Sequence, residues 1–102
     1  MTSVRPSTVA GSFYPATADE LNALLDDCFS KSPLGPCGVF APSTDLIAGI
    51  VPHAGPLYSG PCAAHLYARL DQAIERVILI GVNHWARGHR AALSPWKTWR
   101  TP

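Results

Sequence analysis

The chain has 102 residues, room for one small domain and not for two domains with a cleft between them. Charged residues make up 15% of it, below the ~25% of ordinary soluble domains, while apolar residues reach 47%. A net charge of +1 leaves no electrostatic footprint for nucleic acid or an anionic membrane, and the apolar excess predicts surface that a partner covers.

No apolar run approaches the ~18 residues of a membrane span, and the amino-terminal segment has no apolar core of a secretory signal. Cytoplasm is the expected compartment. The cysteines are Cys28, Cys37 and Cys62. An odd count without a C-x-x-C pair predicts three reduced thiols rather than a disulfide framework or a closed zinc site.

In chain order, Ala10-Gly11-Ser12-Phe13-Tyr14-Pro15 is a turn-rich segment with two aromatics. Thr17 followed by Glu20 fits a capping box, with Leu21, Leu24, Leu25, Cys28 and Phe29 at helical spacing behind it, so a helix is predicted over 18–30. The Pro- and Gly-rich 32–43 is a loop. Leu46-Ile47-Ala48-Gly49-Ile50-Val51 reads as a buried strand. A loop over 52–60 follows. Ser59 is placed to cap a second helix, with Pro61 in its first turn and its end near Leu70. Residues 76–81 read as a second buried strand, and 91–93 as a short third. Strand, helix, strand in this order is a right-handed parallel βαβ unit, and the fold class is α/β. So narrow a sheet has edges to be covered. The expectation is one domain over 1–102, the amino-terminal portion of a larger one, completed by a carboxyl-terminal half or by homo-oligomerisation.

In parallel sheets, ligands gather beyond the carboxyl ends of the strands. His53 and His84 each lie just past one predicted strand, with Gly55 and Gly81 beside them. On neighbouring strands ~4.8 Å apart, both imidazoles come off one edge and can reach one metal ion. Two His with a third donor is the pattern of non-haem iron sites with open positions. His65 is expected on a helix surface or in packing, His89 in solvent, and Cys62 as a small buried residue. Trp96-Lys97-Thr98-Trp99-Arg100 reads as a solvated or pairing strand.

At Pro52-His53-Ala54-Gly55 and Gly81-Val82-Asn83-His84 the chain resembles the Memo family, whose bacterial members are called AmmeMemoRadiSam system protein B. The resemblance also takes in Ala10–Pro15, Tyr58-Ser59-Gly60, Ala63-Ala64, Tyr67, Ala92-Leu93-Ser94 and Thr101-Pro102. It implies an α/β/α sandwich related to class III extradiol dioxygenases, in chains close to three times this length. It makes His53 and His84 the two amino-terminal metal ligands, the other ligands coming from the carboxyl-terminal part. Pro56, Val82 and Trp85 depart from the common Tyr, Pro and His of the family, and an indole at Trp85 cannot act as a base.

Two functions of different class follow, with an inactive truncated fragment as the remaining alternative. The first is a metal site for Fe(II) or Cu, ahead of Zn, with dioxygenase-like or other redox chemistry and a small molecule oriented by Tyr58 or Ser59. The second is a module without chemistry that binds a carboxylate, or a phosphorylated side chain of a peptide, at the helix after Gly55. The resemblance touches this reading too, through phosphotyrosine-peptide binding by animal members. A Ser59 nucleophile lacks a G-x-S-x-G setting.

Overall fold

The computed structural model describes residues 3–102. Its elements are β1 (Val4–Arg5), α1 (Ala18–Asp26) running into a π-helical stretch (Asp27–Lys31), α2 (Pro56–Tyr67) and β2 (Thr98–Trp99). The class is α/β: two helices and a small parallel sheet in which Val4 pairs with Thr98 and Arg5 with Trp99.

α1 begins where its sequence dictates. Thr17 is extended, its hydroxyl oxygen accepts the Glu20 amide at 3.4 Å, and Asp19 and Glu20 occupy the positive end of the helix. Glu20 does not reach back to the Thr17 amide as in a full capping box; its carboxylate accepts the Thr17 hydroxyl at 2.8 Å. The helix then widens by one residue per turn, Ser32 N–H closing onto the Asp27 carbonyl at 2.8 Å. Gly38 N–H returns to the Phe29 carbonyl, and the Phe29 and Phe40 rings stack 5.6 Å apart, folding the Pro-rich loop back onto the helix end.

α2 starts four residues earlier than expected. Gly55 is its N-cap and Pro56 its first residue, a position where the missing N–H costs nothing. The Ser59 hydroxyl, predicted as the cap, instead donates to the Ala54 carbonyl at 2.9 Å, and Pro61 lies inside the helix. The helix ends at Tyr67 rather than Leu70, through turns Arg69→Leu66 and Leu70→Tyr67.

α2 packs across α1 and the π-helical stretch at small residues. Cys28, Ala64 and Ala68 are the buried apolar side chains among the described residues. A Cβ on Gly60 would stand 2.5 Å from the Cys28 sulfur, so only glycine allows this crossing.

The predicted strands at 46–51, 76–81 and 91–93 are corrected: none forms a ladder among the described residues. The physical reason is a missing neighbour. A continuous apolar strand is stable when both faces are covered, whereas Ile50 is 100% exposed, Ile80 93% and Leu93 97%. The first run does lie over α2, where Gly49 abuts the Leu66 side chain. The predicted βαβ core is thus present as apolar run, helix, apolar run, without its sheet. The 96–100 segment does pair: Thr98–Trp99 is β2, and the Arg5 guanidinium sits 4.3 Å over the Trp99 ring.

Candidate metal-binding edge

The two apolar runs deliver His53 and His84 to the same place. Their ring centres are 5.2 Å apart, tilted by 47°. Their separation in sequence is 31 residues, so the meeting is tertiary. Both imidazoles are exposed.

Each loop is held by local bonds. On the His53 side, the Ser59 hydroxyl grips the Ala54 carbonyl, and the Tyr58 and Ser59 amides both donate to the Gly55 carbonyl. The amino-terminal turn closes against the same loop. Gly11 N–H donates to Tyr14 O at 2.7 Å with Gly11 at φ +82°, and a Cβ on Gly55 would meet the Phe13 carbonyl at 2.6 Å. On the His84 side, Ala86 N–H donates to Asn83 O, and the Asn83 amide side chain caps Arg87 O at 2.8 Å. Ala86 takes φ +48°, uncommon for a residue with a Cβ, and this tight turn exposes Trp85.

The donor chemistry fits part of a metal centre. An imidazole nitrogen ligates at about 2.0–2.1 Å, so two rings sharing an ion at cis angles lie roughly 4.5–5.2 Å apart, centre to centre. The observed spacing falls at the upper end of that range. Among the described residues no cluster of three or more His, Cys, Asp or Glu side chains is suited to a metal, so this chain brings two donors together and not three.

The other predicted residues are placed as follows. Tyr58 is exposed in the first turn of α2. Ser59, half-buried, has committed its hydroxyl proton to the His53 loop. An apolar groove of about 140 Å³ runs beside them, lined by Pro52, Ala54, Pro56, Ser59, Leu25 and Tyr67 among others. Cys62, expected to be buried, is exposed, because α2 turns its Gly60–Ala64 side to the π-helical stretch and leaves Cys62 outside. His65 is a helix-surface residue whose Nε2–H donates to the Leu34 carbonyl at 2.9 Å. His89 is in solvent. All three cysteines are free thiols. Sequence reasoning missed the docking of the Phe13 turn on Gly55; the signal available was the pair of glycines, Gly11 and Gly55, flanking aromatics and His.

No helix is long and apolar enough to cross a membrane among the described residues. The family model for Memo-like protein matches residues 5–102. A MEMO1 family protein of Ignicoccus hospitalis is 45% identical over 97% of this chain and 36% of its own length. One from Methanococcoides burtonii is 40% identical over 97% of this chain and 34% of its own length. Protein MEMO1 of Danio rerio is 39% identical, covering 96% of this chain and 31% of its own length. No solved structure matches. The chain spans about a third of the length of the curated relatives it matches. With the match running through both histidine loops and to residue 102, the chain belongs to the Memo-like protein family.

Proposed function

We propose that His53 and His84 are two neutral-imidazole ligands of a non-haem metal centre, Fe(II) or Cu ahead of Zn, at the edge where the two apolar runs end. The observation that carries this reading is the 5.2 Å approach of two rings from distant parts of the chain. In the same reading, the 46–51 and 76–81 runs would pair in parallel within an α/β/α sandwich once both faces are covered. A bound Fe or Cu would supply redox or Lewis-acid chemistry of the dioxygenase-like kind. The chain's own residues would orient what binds beside it. Ser59 fixes the His53 loop, Tyr58 offers a phenol at the helix start, and the groove by Pro52 and Pro56 takes an apolar body such as a small aromatic molecule.

The test is titration of the full chain with Cu(II), Fe(II) and Zn(II), beside His53→Ala and His84→Ala. Nitrogen hyperfine coupling in the Cu(II) resonance spectrum reads the ligands directly. Binding with two coupled nitrogens in the wild type, weakened at least about 10-fold by each substitution, is expected. Unchanged affinity and coupling in both variants overturns the reading.

A further inference from the structure

The carboxyl-terminal end of α2 lies about 15 Å along this 12-residue helix from the His53 loop. A groove of about 260 Å³ opens there, and the metal reading makes no use of it. Pro36, Val39, Ala41 and Ala68 give it apolar walls, and His65 and Arg69 line it as polar groups. An apolar cleft with a few convergent polar groups is the general form of a small-molecule site, and a volume just under the usual ~300 Å³ admits a ligand of few atoms.

Backbone bonds hold the groove together. Ala41 N–H donates to the Ala68 carbonyl and Ser43 N–H to the Arg69 carbonyl, each at 3.0 Å, so the loop is fastened along the end of α2. The His65 ring is fixed as well. A carbonyl only accepts, so Nε2–H donates to Leu34 O at 2.9 Å and Nδ1 is the nitrogen left for a ligand. Residues 32–44, which supply the facing wall, contain no charged side chain. The ion pair among the described residues joins Lys31 to Asp27 and leaves Arg69 out. A guanidinium thus stands against apolar walls with no carboxylate of its own chain to neutralise it.

We propose that this groove binds a small apolar monocarboxylate. The planar fork of Arg69 matches the two carboxylate oxygens. Nδ1 of His65, carrying the ring's second proton, donates to one of them, and Pro36, Val39 and Ala41 take the apolar body. A phosphate is the poorer ligand, because its double charge would face the negative end of the α2 dipole with one guanidinium to balance it. The inference is independent of the metal and of the 46–51 and 76–81 runs.

The test is titration of the full chain with benzoate, phenylphosphonate and benzyl alcohol, followed by the amide and His65 ring-nitrogen resonances. Benzoate is expected to saturate by about 20 mM and to shift 35–41, His65 and Arg69 together. Benzyl alcohol, which has the ring without the charge, is expected to bind at least about 10-fold more weakly, as is benzoate to Arg69→Gln. Arg69→Lys keeps the charge, loses the fork and should fall between. Unchanged amide resonances away from the groove establish that the variants are folded. Phenylphosphonate binding as tightly as benzoate overturns the carboxylate assignment. Absence of saturable shifts, shifts gathered elsewhere on the chain, benzyl alcohol matching benzoate, or equal benzoate affinity in Arg69→Gln overturns the site.

Discussion

Cys28 shows how one side chain sets the crossing of two helices. Its thiol donates to the Pro56 carbonyl at 3.5 Å and its sulfur fills the space a Gly60 Cβ would take. In an ordinary helix Gly→Ala gains about 1 kcal/mol; here overpacking costs about 1–3 kcal/mol. Gly60→Ala is therefore expected to destabilise the chain, and Gly60→Ala combined with Cys28→Ala to recover most of the loss, a coupling read from urea midpoints of the two single variants and the double. Burial, reinforced by the Asp27 carboxylate, pushes the Cys28 thiol above its ordinary value of 9.0. The folded chain thus holds this proton to higher pH than the unfolded chain. That contribution is complete below about 9 and is lost as pH rises through the folded value. Cys37 and Cys62 are exposed, so iodoacetamide near pH 8 should label them first, with Cys28 trailing by about 10-fold or more in mass spectra. Equal labelling rates at the three thiols would contradict this packing.

Elements that depend on neighbours in sequence were readable from it, and those that depend on distant neighbours were not. α1 is local: a hydroxyl at Thr17, acids behind it and apolar residues at helical spacing define both its start and its face. Thr17→Ala removes the oxygen that accepts the Glu20 amide and is expected to cost about 1 kcal/mol in urea unfolding, whereas Glu20→Gln, which keeps an acceptor for the Thr17 hydroxyl, should cost less than half of that. The start of α2 was misplaced because two Pro residues compete for its first turn. Pro56 wins, since Gly55 lets the chain run close under the Phe13 carbonyl and Ser59 is drawn back to Ala54. The apolar runs were legible as strands by composition, but a ladder needs a partner, and the pairing that forms is the short parallel one of Val4–Arg5 with Thr98–Trp99. The His53–His84 approach was anticipated from two loops that each follow an apolar run, although the strand pairing it was argued from is absent among the described residues.

At the scale of the whole molecule, the exposed area fixes how the chain should unfold. An unfolded chain of 10.9 kDa exposes roughly 15,800 Å², so unfolding from 8794 Å² uncovers only about 7,000 Å². A compact domain of equal mass would uncover roughly 10,000 Å². The denaturant slope scales with that area. The chain alone is therefore expected to unfold in urea with a slope about two-thirds of that of a compact 102-residue domain. A dye that fluoresces on apolar surface should bind it under native conditions, where a compact domain of this size leaves little to bind. The buried side chains are Cys28 in the π-helical stretch, Ala64 in α2 and Ala68 at its end, whose carbonyl accepts the Ala41 amide, so the slowest-exchanging amides should be found there and not in 46–51 or 76–81. A full-sized slope with no dye binding would mean that the two apolar runs are already covered in solution. The excess surface would then have to close within the chain itself, and Ile50→Lys, expected to be neutral at a fully exposed position, would become strongly destabilising.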